Sequence, residues 1–436
     1  MKVKFFMLIV ILLLVLVWTF HKYFKEEGET IYIAFIGPMS GKGKAAGEIM
    51  SQAIQLYLDR VNDQKELKGK KVELKIFDDQ NKCDPKQQAE QEALRIVEEN
   101  QVVAVIGHWF SSCSITGGQV YKKFGIPAIT PGSVSVEVTK NNKWYFRNIY
   151  NASASGQFLA YYVNKVFRLD KVTIIDDGSG YGSYLASVFE KAARGLGMEV
   201  KNKWRFHEKD KNKDEKFRGF VEKLKRDGKA AGAILLAMQA SEGIPLVRLI
   251  KDAGIQNPII SGSGFSEQTF VDGFDKFPKE KANPGYYTND IYVATPLIFD
   301  TANEKAQKFK DEYQKKYNDE DKKELQKDKK ELDWSAAYAY DSAMVLIEAI
   351  KRVNKNIEGK KISLKAYRQK IRNELAKFTI HEAVEGTTGF NYFNKNRDAP
   401  KPDTIDCPTG SRAENAIFCQ LFFQGYFFLG FFFLHE

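Results

Sequence analysis

Histidine and cysteine are scarce, five and four among 436 residues. The histidines are scattered and no Cys-x-x-Cys pair occurs, which argues against a metal centre. Also missing are an HExxH zinc motif, a Gly-x-Ser-x-Gly nucleophile turn and a phosphate loop. Gly178–Gly182 is glycine-rich, but it lacks Gly-Lys-Ser/Thr and the full GxGxxG context. The chain therefore gives no sign of an enzyme, a metal or a cofactor. Its net charge of +10 comes from scattered lysines. No element joins clustered basic residues to aromatics, so nucleic acid is not an expected partner. No internal repeat is visible. What remains is an ordinary globular composition, 43% hydrophobic and 28% charged, in a chain long enough for two lobes.

The two ends differ from the rest. Phe5–Phe20 is an apolar run behind Lys2 and Lys4, the pattern of a secretory signal. Neither a small-x-small cleavage site nor a lipobox cysteine follows it; His21–Lys25 does. The run is slightly short of the roughly 20 residues that span a bilayer, with Trp18 and Phe20 suited to the interface. Over residues 1–25 an uncleaved signal-anchor is favoured over a cleaved signal. Either places the remainder in the periplasm or at the outer face of the cytoplasmic membrane. Export permits disulfides among Cys83, Cys113, Cys407 and Cys419, and sequence alone leaves their pairing open. Within the tail 396–436, Ala416–Leu434 is Phe-rich and carries no charge before the final Glu436. A membrane-associated segment, a buried terminal strand pair and a reading-frame artefact all stay open for it.

Between the ends, strand and helix patterns alternate. Ile31–Ile36, Lys71–Phe77, Val102–Ile106 and Ile126–Ile129 read as strands. Ala45–Asn62, Pro85–Glu99 and Ser112–Lys123 read as the helices between them. This order predicts a parallel sheet covered on both faces. A second series follows, with strands at Val172–Ile175, Val200–Trp204, Ala233–Ala237 and Ile259–Ser261. Its helices are Phe158–Phe167, Gly182–Leu196, Lys216–Lys225 and Ile244–Ala253. Lys305–Tyr317 and Trp334–Val353 are expected as long helices, flanking a charged stretch with the character of a solvated surface.

The most informative stretch is Val102–Thr139. One apolar strand ends in Gly-His and opens into small hydroxyl residues; a second ends in Thr-Pro-Gly-Ser. Strand ends of this kind, each before a helix, turn backbone N–H groups and hydroxyls into a crevice where open α/β sheets hold polar ligands.

Five stretches resemble the type I periplasmic solute-binding proteins, closest to the leucine/isoleucine/valine-binding group that feeds ABC importers. They are I-A-F-I-G-P-M-S-G-K-G-K-A-A-G from Ile33, F-D-D-Q-N-K-C-D-P-K-Q from Phe77, V-I-G-H-W-F-S-S-C-S from Val105, G-I-P-A-I-T-P from Gly125 and K-V-T-I-I-D-D-G-S-G-Y-G from Lys171. The likeness runs from about Ile31 to about Asn394. It implies an α/β fold of two Rossmann-like lobes with parallel sheets, joined by three crossovers. Lobe 1 would be 31–148 with a return at 295–378, and lobe 2 would be 149–294 with a return at 379–395.

The resemblance also assigns residues. Ser111 matches the serine that holds a ligand carboxylate at a helix N-terminus, with Ser112 beside it. Gly132, Ser133 and Val134 fall where the family offers a carbonyl and a hydroxyl; Val134 departs from the family's Thr. Tyr181 matches a tyrosine of the lobe 2 wall, and Gln239 stands where the family has a further tyrosine. Ser263 falls near the acidic residue that pairs with an amino acid's ammonium, and Ala46 replaces an aromatic residue. Loss of that carboxylate favours a neutral or anionic ligand, such as an amide, a urea-like molecule or a small carboxylate, unless Glu242 or Asp177 supplies the charge. Trp109 and His108 are expected to be structural. Cys83 matches a family disulfide cysteine. Phe110 occupies its usual partner position, and Cys113, three residues on, is the candidate partner.

The function implied is an extracytoplasmic solute receptor of an ABC importer, without enzymatic activity or cofactor. It would act as a monomer with permease and ATPase partners, held to the membrane by its N-terminal helix. A tethered sensor signalling to a membrane partner is the alternative.

Overall fold

The computed structural model describes residues 29–399 and 430–433, except 42, 85–86, 100, 267, 298, 300–301, 318–331 and 358–359. The Phe5–Phe20 run and most of the Phe-rich tail lie outside the described residues. Among the described residues no helix is long and apolar enough to cross a membrane.

The first part of the chain alternates β1 (Thr30–Gly37), α1 (Lys44–Asp63), β2 (Lys71–Asp78), α2 (Gln88–Glu98), β3 (Val102–Gly107), α3 (Ser111–Phe124), β4 (Ala128–Thr130) and β5 (Tyr145–Arg147). The second part continues with α4 (Ala152–Lys165), β6 (Lys171–Asp176), α5 (Gly180–Gly195), β7 (Glu199–Arg205), α6 (Lys213–Asp227), β8 (Ala233–Ala237), α7 (Ala240–Asp252), β9 (Ile259–Ser261), the short α8 (Gln268–Asp272) and α9 (Pro278–Ala282), and β10 (Ile291–Thr295). Helices α10 (Glu304–Tyr317), α11 (Trp334–Ile357) and α12 (Leu364–Leu375) follow, then the hairpin β11 (Val384–Gly386) and β12 (Gly389–Asn391). A last strand is β13 (Gly430–Phe433).

Apart from the β11–β12 hairpin, the described strands form two sheets. The first has the order β2-β1-β3-β4-β5 and is parallel throughout. The register shows why its strands read as unbroken apolar runs. Phe35, Ile106, Ile129 and Phe146 make one cross-strand row, while Ala34, Val105, Ala128 and Tyr145 make a row on the opposite face. Helices α1 and α11 cover the first row; α2 and α3 cover the second. With both faces buried, alternation with polar residues would leave charges in the core.

The second sheet runs β10-β9-β8-β6-β7 in parallel, with β13 antiparallel at its edge beside β10. Leu235 and Ala237 of β8 face α5, and Ile234 and Leu236 face α6 and α7. The chain leaves the first sheet after β5 and comes back to it after β10. Thus Tyr313 of α10 donates to Gln52 of α1. The segment 379–395 carries the β11–β12 hairpin, whose Thr387, Thr388 and Asn391 donate to the buried Asp341 carboxylate of α11.

The strand order of each sheet reverses once, between β1 and β3 in the first and between β6 and β8 in the second. A crevice opens beyond the carboxyl ends of strands at such switch points. The loops after β3, β4, β6, β8 and β9 are therefore the places to look for a ligand.

Candidate functional site

Those loops meet in one cleft. It is lined by Trp109, Phe110, Ser111, Gly132, Val134, Tyr181, Gln239, Ser263, Gly264 and Trp334, around about 290 Å³ of empty space that is partly open to solvent. Trp109–Ser111 follow β3, Gly132 and Val134 follow β4, Tyr181 follows β6, Gln239 follows β8, and Ser263 and Gly264 follow β9. Trp334 comes from much later in the chain, as the first residue of α11.

Ser111 begins α3. The residue before it, Phe110, is extended and no side chain caps this helix end. The first-turn amides of a helix have no intrahelical acceptor and carry the positive end of its dipole, so this end can receive an anion or a carbonyl. The Ser111 hydroxyl accepts from the Ser135 amide at 3.2 Å, which fixes it beside the loop after β4. Gln239 occupies the N-cap of α7, also without a side-chain cap. By contrast, Ser179 caps α5 itself, accepting from the Gly182 amide at 2.9 Å.

Tyr181 stands on the other wall. Its hydroxyl accepts from the Gly264 amide at 3.1 Å, tying α5 to the loop after β9. Burial pushes this phenol far above its usual range, so it stays neutral and can serve a ligand only as a hydrogen-bonding group. Gly132 is required by a close approach: a Cβ there would lie 2.1 Å from the Trp109 ring. Gly107, at the end of β3, has a φ of +127° and leaves no room for a Cβ, which would lie 2.0 Å from the Ile36 carbonyl oxygen.

The structure brings together six of the residues singled out in the sequence: Ser111, Gly132, Val134, Tyr181, Gln239 and Ser263. Ser112 and Ser133 do not line the cleft. The Ser112 hydroxyl accepts from the Gly180 amide at 3.3 Å, bridging the two sheets' halves at the rim. The Ser133 hydroxyl is spent on the Trp109 carbonyl at 2.9 Å and on Ser114 at 2.7 Å. Trp109, expected to be structural, lines the cleft; Phe110, Gly264 and Trp334 were not anticipated there. Trp334 leaves no local signal, because only tertiary packing carries α11 to the loop after β3.

Among the described residues, none that lines the cleft carries a charge. Asp177 and Glu242, considered as substitutes for the missing acid, are engaged elsewhere. Asp177 is buried and accepts from the Ser179 amide at 3.0 Å; burial raises its pKa. Glu242 pairs with Lys213 at 2.7 Å.

Beneath the cleft, His108 bonds to Asp79 at 2.8 Å and to Tyr121 at 3.0 Å, all three buried. Cys113 lies beside this group. Its sulfur is bonded to Cys83, so it offers no thiolate to a metal. The Cys83–Cys113 disulfide, with a Cα–Cα distance of 4.2 Å, fastens the loop after β2 to the first turn of α3.

A cleft at the strand ends of two parallel sheets is the architecture of the type I periplasmic-binding fold. The sequence agrees: residues 30–399 match the periplasmic binding protein family, and the chain belongs to it. Among curated relatives, an amino acid binding protein of Pseudomonas aeruginosa is 29% identical over 235 residues, 54% of this chain and 60% of that protein. A leucine-, isoleucine-, valine-, threonine- and alanine-binding protein of the same organism is 26% identical, over 59% of this chain and 71% of its own length. The match thus spans about three-fifths of the first of these relatives. Among solved structures, the branched-chain amino acid transporter substrate-binding protein LivJ of Streptococcus pneumoniae, in complex with isoleucine, superposes with a TM-score of 0.69 at 25% identity. That alignment covers 86% of this chain and 94% of LivJ. The leucine-binding protein LivK of Thermotoga maritima gives the same TM-score at 22% identity, covering 86% of this chain and 97% of its own.

Proposed function

We propose that this protein is the extracytoplasmic receptor of an ABC-type importer and captures a small neutral or anionic solute between its lobes. The lobe boundaries would fall near residues 148/149 and 294/295. The observation that carries the ligand class is the charge-free cleft. A buried ammonium without a carboxylate partner would cost several kcal/mol, on the order of an unpaired interior charge. A carboxylate or amide oxygen, in contrast, finds the uncapped start of α3 and the Ser111 hydroxyl. The solute would contact both lobes only when they are closed, so binding would shift the protein toward closure. This closed, loaded form is what a permease with its ATPase would recognise, and no chemical step is needed. The Phe5–Phe20 run would keep the receptor at the outer face of the membrane.

The test is a thermal-shift survey of the purified protein with amino acids, primary amides, ureas and short carboxylates. Stabilisation by amides or carboxylates but not by leucine-like amino acids is the expected result. Strong stabilisation by leucine would overturn the ligand class and return the protein to ordinary amino-acid capture.

A further inference from the structure

Resting on that reading, we infer that Trp334 is a specificity-determining residue that sets the upper size limit of the ligand. Its indole occupies the apolar side of the cleft, and the solute admitted carries a short side chain or none.

Three observations converge on this residue. Trp334 lines the cleft and is 3% exposed, so its ring fills interior space rather than flanking the mouth. Both of its faces of contact are fixed. The ring packs against Trp109, with centroids 4.8 Å apart and planes tilted by 31°, and Trp109 is itself backed by Gly132. On the opposite half of the molecule, Trp334 Nε1 donates to the Ser266 hydroxyl at 2.7 Å. Ser266 in turn donates to the carbonyl of Ser263, a lining residue, at 2.9 Å. One turn further along α11, Tyr338 meets the indole edge-on at 6.1 Å. The ring is thus clamped between α11, the loop after β3 and the loop after β9.

A clamped indole behaves as a wall. To admit a longer aliphatic chain it would have to give up its N–H bond and its contact with Trp109 together, leaving a buried donor unpaired. Because Ser266 belongs to the second sheet's half and α11 to the first, the wall is complete only when the halves stand as they do here.

The experiment is calorimetric titration of wild type, W334A, W334L and S266A with two homologous series: acetate, propanoate, butanoate and hexanoate, and the corresponding primary amides. Wild type is expected to bind the short members and to lose affinity with each added methylene. W334A and W334L are expected to shift toward the long members, with hexanoate or hexanamide gaining at least tenfold relative to the two-carbon compound. A single methylene in a fitted pocket is worth about 10–200-fold, so the shift is within reach of one side chain. S266A should move the same way by less, since the Trp109 contact persists. Should W334A fail to fold, W334L and S266A still decide the matter. An identical chain-length profile in wild type and the Trp334 variants would overturn the inference, as would a wild type that already prefers hexanoate. Binding of no member by any of the proteins would instead overturn the small-solute reading, and this inference with it.

Discussion

Arg147 and Asp398 form a buried ion pair across 251 residues of sequence, with Nη2 and Nε at 2.8 and 3.0 Å from one carboxylate oxygen. The guanidinium also donates to the carbonyls of Ser133 and Ser135, at 2.9 and 2.6 Å, and Thr139 closes the group by donating to Asp398 at 2.6 Å. These carbonyls belong to the loop that carries Gly132 and Val134. The pair therefore holds one wall of the cleft to the last described turn of the family-matched region.

Breaking this pair leaves a charge buried without its partner, typically a loss of about 3–5 kcal/mol. R147M and D398N are each expected to be strongly destabilised in urea unfolding. R147M with D398L should lose less than the sum of R147M and D398L alone, because neither charge is then stranded. Additive losses would mean that the two side chains do not act as a pair.

Ser111 and Ser112 are neighbours with different tasks. Ser111 lines the cleft, and Ser112 joins the halves through Gly180. S111A is expected to weaken the bound solute at least tenfold while staying folded, with a modestly lower melting temperature in its absence because the Ser135 amide loses its acceptor. S112A should cost only a few-fold, through a less stable closed form. Titration of both variants with the stabilising solute checks this; equal effects would mean that Ser111 does not touch the ligand.

Much of this arrangement was legible in the sequence. Ile31–Ile36 and Val102–Ile106 announce buried parallel strands because both their faces pack on helices. The start of α4 at Ala152 was missed, since A-S-A-S-G conceals helical periodicity until Phe158; Asn151 caps it by accepting from Ser153. Three-residue β5 was missed as well. Its Arg147 reads as a surface residue, and only Asp398, far along the chain, makes its burial possible. The helix Leu364–Leu375 did leave a signal, Ser363, whose hydroxyl accepts from the Ala366 amide at its N-cap. The strand-end residues of the cleft could be found because they sit where the alternation turns. Trp334 could not, because its place depends on how α11 docks.

The Cys83–Cys113 bridge closes a 30-residue separation and ends two residues beyond Ser111. A loop of this length should contribute about 2–4 kcal/mol. C83S with C113S is expected to melt lower than wild type by that equivalent and to lose the wild type's sensitivity to reductant. Differential scanning with and without dithiothreitol measures both. A wild type whose melting is indifferent to reductant would show that the bridge contributes nothing to stability.

Ser263 offers the converse of a loss-of-function test. It is nearly buried in the wall facing Ser111's side of the cleft, where the resemblance to amino-acid receptors leads one to expect a carboxylate. If the absent acid is what turns the cleft away from amino acids, restoring it should turn the cleft back. S263D introduces one negative charge into a low-dielectric site with no competing cation among its lining residues. That charge costs desolvation when the cleft is empty, so the variant should melt lower than wild type without ligand. An ammonium arriving with its own carboxylate directed to α3 would neutralise it, and L-alanine affinity should rise at least tenfold. Propanoate, of the same length but without the amino group, should bind more weakly than to wild type. Opposite movements of the two ligands separate a specific pairing from general loosening, which would weaken both. A folded S263D with unchanged preference between L-alanine and propanoate would mean that Ser263 does not face the position of the amino group.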